Sequence, residues 1–161
     1  MSLQEELLGF AGSVGDMFRR RVAETPDGLA FLDPDRAPEG PNTWSGYTWA
    51  ESRALVDQLA AGLLARGLAR EQRVGIISTT RLEWILLDLA VACAAGATTT
   101  VYPNTAAGDV EFILEDSGTC VAVVEDAAQL AKVEASPVLK ESIHTIVVID
   151  AAHVELNDRV I

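Results

Sequence analysis

Cysteine and basic residues are scarce in this sequence. Its two cysteines, Cys93 and Cys120, form no C-x-x-C pair, and we expect both to be small buried hydrophobic residues. Twelve Lys and Arg residues stand against 24 Asp and Glu residues, which gives a formal net charge of −12. The one run of bases, Arg19 to Arg21, lies on a helical stretch and is typical of a solvated face. This balance predicts no nucleic-acid partner, because binding to phosphates requires basic patches.

Long uncharged hydrophobic runs are also missing. The most apolar stretch, "WILLDLAVACAAGATTTVY", is interrupted by Asp88 and soon meets Gly96. A charge in the middle of a membrane costs about 2.5–3.5 kcal/mol on insertion scales, so a buried helix followed by a strand is the better interpretation. The N-terminus has no basic segment followed by an apolar one, and it predicts no signal peptide. These absences favour a soluble, cytoplasmic protein.

No group of residues in the sequence predicts catalysis. His144 and His153 have no Cys or carboxylate at metal-ligand spacing, so we predict no metal site. No Ser–His or Cys–His pattern indicates nucleophilic catalysis, and we name no catalytic residue.

Glycine is absent from the stretch "STTRLEW", which follows an apolar strand and leads into an apolar helix. A phosphate-binding loop at such a corner needs glycines, because the backbone must approach the phosphate closely. Thr80 and Glu83 instead form a T-x-x-E pattern, which is typical of a capping box. We therefore predict that Ser78, Thr79 and Thr80 start a helix over residues 81–95 and hold no nucleotide.

The residues that are present predict an α/β fold. A helix over residues 13–24 is followed by a hairpin made of "LAFLD" and "WSGYTW", and a T-x-x-E pattern at Thr48 and Glu51 opens a helix that Gly67 ends. Leu55, Leu59 and Leu63, with Val56, Ala60 and Leu64, form the apolar stripe of that helix.

The rest of the chain alternates strands and helices. The strands "RVGIIS", "ATTTVY", "CVAVVE" and "TIVVID" are separated by helices over residues 81–95, 106–116 and 127–135, with a loop at Pro137. Continuous Val and Ile strands that alternate with helices are typical of a parallel sheet covered on both faces. We predict a mainly parallel sheet with helices on both faces, preceded by an N-terminal helix and a β-hairpin.

One loop of this pattern has two interpretations. In "TTTVYPNTAAGDVEF", Asn104 or Thr105 can cap the next helix. The same loop lies at the carboxyl edge of a parallel strand, where ligands of such sheets bind, so Tyr102, Pro103, Asn104 and Thr105 are also candidate ligand contacts.

Taken together, these stretches resemble the N-terminal region of adenylate-forming acyl-CoA synthetases, and most of all the bacterial long-chain fatty-acid–CoA ligases. The resemblance covers roughly residues 10–150. The features that carry it are, in order, Tyr47-Thr48, Gly67, Arg73-Val74-Gly75-Ile76, Glu83-Trp84, Gly96, Tyr102-Pro103 and Glu115-Asp116-Ser117. Glu83-Trp84 and Tyr102-Pro103 favour a long-chain ligase over a sister family.

The resemblance implies that the chain is the first lobe of a longer enzyme. Such enzymes use ATP and Mg²⁺ to convert a fatty acid to an acyl-adenylate and then transfer the acyl group to coenzyme A (CoA). We interpret residues 1–12 as an N-terminal tail, partly of vector origin, residues 13–150 as the N-terminal α/β subdomain, and residues 151–161 as a truncated end that runs towards a missing phosphate loop. Because the phosphate loop and the later family motifs have no match here, the fragment is expected to be inactive and to bind none of these cofactors tightly.

The resemblance also implies a site. It puts Tyr102 to Thr105 on the CoA side of the active-site cleft and makes Lys132 a contact for a CoA phosphate. The Arg81–Asp88 face and the surroundings of Trp84 are expected to pack against the rest of the enzyme. Peripheral contact with the inner face of the membrane and a homodimer are left open. Two alternatives also stay open, namely a free-standing flavodoxin-like nucleotide- or flavin-binding module and a non-catalytic interaction domain.

Overall fold

A computed structural model describes residues 12–33 and 45–161. The predicted tail, residues 1–12, lies outside the described residues except for Gly12. The elements are, in chain order, α1 (Val14–Glu24), β1 (Leu29–Asp33), β2 (Ser45–Thr48), α2 (Trp49–Ala65), β3 (Arg73–Ile77), α3 (Leu82–Cys93), β4 (Ala97–Val101), α4 (Ala107–Asp116), β5 (Thr119–Val124), α5 (Ala127–Ala135), α6 (Pro137–Ser142) and β6 (Thr145–Val148). Within the described ranges, every helix is too short or too polar to span a lipid bilayer.

Strands β3 to β6 form a parallel sheet with the spatial order β4-β3-β5-β6. Strands β1 and β2 pair antiparallel in a separate two-stranded sheet. The predicted α/β fold, with a parallel sheet preceded by a helix and a hairpin, is therefore confirmed. The sheet grows from β3 to β4 in one direction and then from β3 to β5 in the other. Open α/β sheets bind ligands at the carboxyl ends of the strands beside such a reversal.

Helices cover both faces of the parallel sheet, as predicted. Successive residues of a strand point to opposite faces, so each central strand contributes to two cores. Val74 and Ile76 of β3 pack with buried side chains of α1, α2 and α3 on one face. Ile77 belongs to the other core, with Leu114 of α4 and Leu139 of α6. All five side chains are fully buried, which explains the continuous apolar strands of the sequence.

The N-terminal helix and the hairpin are joined to this sheet domain through Trp49. Its ring lies 6.2 Å from that of Phe18 in α1 and 5.9 Å from that of Phe31 in β1, both tilted. The guanidinium of Arg21 lies over the same indole, 5.9 Å from its centre. Tilted aromatic pairs at these separations stabilise packing beyond the area that they bury.

Helix α2 begins and ends as predicted. The Thr48 hydroxyl accepts the Glu51 N–H at 3.2 Å, and the Glu51 carboxylate accepts the Thr48 N–H at 2.8 Å, which is a complete capping box. After the helix, Gly67 has a φ of +91° and its N–H donates to the Leu64 carbonyl. Glycine adopts this left-handed conformation without steric cost, which explains the stop.

The buried stripe of α2 differs from the prediction. Leu64 is 51% exposed, and Leu55 and Leu59 are half-buried. The buried members are Ser52, Val56, Ala60 and Leu63. Ser52 can be buried because its hydroxyl donates to the Thr48 carbonyl at 2.8 Å.

The predicted capping box at the start of α3 is wrong. Helix α3 begins at Leu82, its N-cap is Arg81, and no side chain caps it. Thr80 therefore lies one residue too early for its hydroxyl to act from the N-cap position. The Glu83 carboxylate accepts hydrogen bonds from the Arg81 guanidinium instead.

The predicted cap of the next helix is wrong for the same reason. Helix α4 begins at Ala107 and its N-cap is Ala106, so neither Asn104 nor Thr105 caps it. Of the two interpretations of the loop Tyr102 to Thr105, helix capping is therefore excluded.

The predicted loop at Pro137 is a short helix. Pro137 is the first residue of α6, where its missing N–H costs nothing. Ser136 is the N-cap, and its hydroxyl accepts the Leu139 N–H at 3.1 Å.

Candidate functional site

The carboxyl ends of β3 and β5 meet where the strand order reverses. Thr79 follows β3, and both its N–H and its hydroxyl donate to the carboxylate of Glu125, which follows β5, at 2.8 Å each. A bound phosphate would require the same kind of donors, and here a carboxylate of the protein uses them. The geometry disfavours a phosphate site at this corner and replaces the predicted capping role with a bond between strand ends.

Arg81 extends this connection to the next strand. Its guanidinium donates to Glu83 at 2.7 and 3.1 Å and to Asp150 at 2.7 Å, and it lies 3.8 Å from Glu125. Asp150 comes shortly after β6, so one cation joins the corner after β3 to the ends of β5 and β6. The predicted shared face of Arg81 and Asp88 does not exist, because Arg81 is an extended N-cap residue and not part of the helix.

The ion pairs change the proton affinity of the groups in this corner. Hydrogen bonding from Arg81 holds the pKa of the Glu83 carboxyl below its usual range, although partial burial opposes the effect. The bonds to Glu83 and Asp150 raise the pKa of the Arg81 guanidinium above its usual value. Arg81 and Glu83 therefore form a charged pair at neutral pH, in which the positive charge is already used within the protein.

The five predicted site residues lie together. The loop after β4 is a turn in which the Thr105 N–H donates to the Tyr102 carbonyl at 3.0 Å. Lys132, on α5, reaches this turn and donates from Nζ to the Pro103 carbonyl at 2.5 Å and to the Thr105 carbonyl at 2.9 Å. Tyr102 is 77% exposed and Asn104 is also exposed. The turn thus presents an aromatic ring and an amide at the carboxyl edge of the sheet.

A cleft of about 280 Å³ opens beside this turn, between the carboxyl ends of β3 and β4. Two aromatic residues, Trp84 and Tyr102, line it together with hydroxyl groups. Its lining residues are Ser78, Thr80, Trp84, Thr100, Val101 and Tyr102. Aromatic faces and hydroxyl groups can hold a flat polar group by stacking and hydrogen bonding.

A second, apolar groove lies on the face of the sheet that carries α2 and α3. Two adjoining cavities of about 500 and 340 Å³ share the lining residues Gln58, Leu59, Leu87 and Val147. Both the interaction-domain alternative and the expectation of a larger enzyme predict such a surface, so the groove does not distinguish them. It contains none of the predicted site residues.

The described residues contain no candidate metal site and no disulfide. Across 12–33 and 45–161, no three His, Cys, Asp or Glu side chains are grouped so that they could hold a metal ion. Cys93 and Cys120 are free and partly buried. Burial raises the pKa of both thiols, which makes them weak nucleophiles at neutral pH.

Sequence reasoning missed two features of the carboxyl edge. Glu125 was not recognised as the partner of Thr79, although an acid directly after the apolar strand "CVAVV" is a usable signal when the two strands are neighbours. Trp84 was expected only to pack against further protein, yet it shares a cleft with Tyr102. No local pattern indicates that pairing, because the two residues follow different strands.

Residues 18–160 match the family of AMP-binding enzymes. The chain is 33% identical over 102 residues to long-chain-fatty-acid–CoA ligase FadD15 of Mycobacterium tuberculosis, a match that covers 61% of this chain and 17% of the relative. It is 30% identical over 118 residues to long-chain-fatty-acid–CoA ligase heimdall of Drosophila melanogaster, covering 73% of this chain and 17% of the relative. The chain therefore matches about a sixth of the length of these curated relatives, in their N-terminal part.

A solved structure supports the same relationship. The chain superimposes on a putative long-chain-fatty-acid CoA ligase from Rhodopseudomonas palustris with a TM-score of 0.71 and 27% identity, over 85% of this chain and 32% of that one. These matches favour the predicted ligase family over a free-standing flavodoxin-like module or an interaction domain. By its match over residues 18–160, the chain belongs to the family of AMP-binding enzymes.

Proposed function

We propose that this chain is the N-terminal part of a long-chain fatty-acid–CoA ligase. The complete reaction joins a fatty acid and CoA at the expense of ATP, through an acyl-adenylate, and releases AMP and pyrophosphate. The match of residues 18–160 to AMP-binding enzymes, together with the names of the curated relatives, carries the proposal. A cytoplasmic location belongs to the same proposal, and peripheral membrane contact and a homodimer stay open within it.

The turn Tyr102 to Thr105 is proposed as a contact on the CoA side of the active site. Its position at the carboxyl end of a parallel strand supports this role. The high exposure of Tyr102 and its place on the cleft with Trp84 support it as well, because an exposed aromatic ring gives a flat ligand a stacking surface. Asn104 adds amide donors and an acceptor at the same edge.

ATP and Mg²⁺ chemistry is proposed for other parts of the ligase. A developing charge on the α-phosphate would require donors and a cation that point at it. Among the described residues, Arg81 and Lys132 are cationic groups at this edge, and they already donate to Glu83, Asp150 and two carbonyl groups of the chain. We therefore propose that the 161-residue chain alone forms no acyl-adenylate.

Two measurements test this proposal. In the first, the native gene is sequenced beyond the codon for Ile161. Its longer product is then assayed for acyl-CoA formation from hexadecanoate, ATP, Mg²⁺ and CoA. The proposal expects acyl-CoA and AMP in equal amounts, and a product that forms neither would contradict it. The second mixes the 161-residue chain with the same reagents, and AMP release by this chain would contradict its proposed inactivity.

The site is tested in the longer product with Tyr102→Ala. We expect the KM for CoA to rise about tenfold, corresponding to the loss of one stacked ring, while the KM for ATP stays unchanged. Phe112→Ala is the matched control, because Phe112 is 66% exposed and lines neither the cleft nor the groove. Equal effects of the two substitutions would remove Tyr102 from the site.

A further inference from the structure

The ammonium group of Lys132 donates hydrogen bonds to backbone carbonyl groups of the same chain. Nζ lies 2.5 Å from the Pro103 carbonyl oxygen and 2.9 Å from the Thr105 carbonyl oxygen. An ammonium has three donors, so two of them are committed to one turn. The side chain is partly buried, and hydrogen bonds from a charged donor are about twice as strong as those between neutral groups.

The turn itself is set by local chemistry. Pro103 is its second residue and has a restricted φ, and the Thr105 N–H closes the turn onto the Tyr102 carbonyl at 3.0 Å. These local features determine the shape of the turn but not the direction in which it leaves the sheet. Lys132 is 27 residues away from Thr105 and belongs to a helix packed on the sheet, so it supplies the missing long-range attachment.

We propose that Lys132 is a positioning residue, which holds the turn Tyr102 to Thr105 against α5 and so orients Tyr102 at the cleft. This role differs from direct contact with a CoA phosphate, which the family resemblance implies for Lys132. A phosphate contact would have to share the ammonium with the two carbonyl groups, which already accept hydrogen bonds from two of its three N–H donors. Lysine fits the positioning role because its single charged nitrogen can approach two adjacent carbonyl oxygens at once.

Amide hydrogen exchange on the 161-residue chain tests the attachment directly. The sequence contains two lysines, and Lys140 is exposed on α6, which makes Lys140→Met the matched control. In Lys132→Met we expect the Thr105 amide to exchange about tenfold faster, because the turn loses its attachment, while the amides of β3 and β5 keep their protection. Lys132→Arg, which keeps a charged donor, should restore most of the protection. An unchanged Thr105 amide in Lys132→Met would overturn the proposal.

A measurement on the unsubstituted chain covers the case in which Lys132→Met fails to fold. Reductive methylation with formaldehyde and a borohydride requires a free, accessible amine. We expect Lys132 to react at least about tenfold more slowly than Lys140, because two of its donors are committed and its side chain is partly buried. Equal rates at the two lysines would overturn the proposal.

The effect of Lys132 on catalysis rests on the proposed function, and it is measured with the longer gene product. Lys132→Met should raise the KM for CoA several-fold and leave kcat and the KM for ATP unchanged. The dependence of the CoA KM on salt should keep its slope, whereas loss of a direct phosphate contact would lower that slope, because salt screens an attraction between charges. A lower slope would overturn the positioning role. If the longer product forms no acyl-CoA at all, the proposed function fails, and the exchange experiment still decides the role of Lys132.

Discussion

Thr79 and Glu125 join the carboxyl ends of β3 and β5 through two hydrogen bonds of 2.8 Å, one from the backbone N–H of Thr79 and one from its hydroxyl. Because the order of the strands reverses between these ends, this is the position where many open α/β sheets bind a ligand. Here the position is used for a bond within the protein. The Glu125 side chain is only 18% exposed, whereas Thr79, which donates both bonds, is exposed.

This relationship predicts a stability cost for Glu125→Gln. The amide oxygen can still accept the Thr79 N–H and its NH2 group can donate to the Thr79 hydroxyl, but both bonds lose the carboxylate charge, and so does the attraction to Arg81 at 3.8 Å. We expect the free energy of unfolding to fall by about 1–2 kcal/mol in urea titrations. The control is Glu141→Gln, since Glu141 is exposed. A loss in Glu125→Gln no larger than in this control would contradict the prediction.

The two T-x-x-E patterns should respond differently to loss of their hydroxyl group. Thr48→Ala removes half of a complete capping box and should lower the free energy of unfolding by about 1 kcal/mol. Thr80→Ala should cost less than about 0.5 kcal/mol, because Thr80 precedes the N-cap and caps nothing. Urea unfolding of both variants checks this. Equal losses would show that Thr80 does cap α3.

Gly15 should tolerate no side chain. A Cβ at this position would lie 2.8 Å from the carbonyl oxygen of Ala92 and 3.1 Å from the Cα of Cys93, and both are backbone atoms that cannot move aside. We expect Gly15→Ala to lower the free energy of unfolding by about 1–2 kcal/mol, despite the gain in helix propensity.

Gly62→Ala is the matched control for Gly15→Ala. Gly62 also lies inside a helix, but a Cβ there would meet open space. Alanine should therefore raise the free energy of unfolding by up to about 1 kcal/mol. Opposite signs in thermal or urea unfolding would establish that α1 and α3 pack backbone against backbone, and equal signs would refute it.

The ion pair between Arg81 and Glu83 predicts a pH dependence. Because Arg81 lowers the pKa of Glu83 in the folded state, the pair stabilises the fold above the ordinary carboxyl pKa, and this contribution is lost as the pH falls through the lower folded value. The difference in unfolding free energy between the wild-type chain and Arg81→Met should therefore stay constant above the ordinary carboxyl pKa of 4.5 and shrink as the pH falls below it.

Arg53→Met is the control for this pH series. Arg53 forms an exposed pair with Asp57 four residues later on α2, and such pairs contribute less than about 0.5 kcal/mol. Its effect should be small at every pH. A constant effect of Arg81→Met over the same range would mean that Glu83 is not protonated within it.

Both cysteines should react slowly in the folded chain. Burial raises their pKa, so the reactive thiolate is a smaller fraction at pH 8 than in an unfolded chain. Alkylation with iodoacetamide should be at least about tenfold slower in buffer than in urea, for Cys93 and Cys120 alike. Rapid labelling of either thiol in the folded state would contradict its burial.

Much of the fold could be predicted because its causes are local. The four apolar strands, the alternation with helices and the complete capping box at Thr48 and Glu51 all depend on residues close together in the chain. The helix start at Thr80 failed because the same T-x-x-E pattern was one residue out of position, and Arg81 offered Glu83 a stronger, charged partner. A charged pair between residues only two apart in the chain therefore outweighs the weaker capping preference.

The candidate site, like the fold, has features that depend on local sequence and features that depend on tertiary contacts. The amino-acid sequence by itself determined the α/β class, the family and the exposed turn Tyr102 to Thr105, because these follow from residue type, order and spacing. Only the tertiary structure decided which side chains meet there: Lys132 on the turn, Trp84 beside Tyr102, and Glu125 on Thr79. Each of these contacts joins elements brought together by the order β4-β3-β5-β6, and strand order depends on how helices pack on the two faces of the sheet rather than on any local pattern.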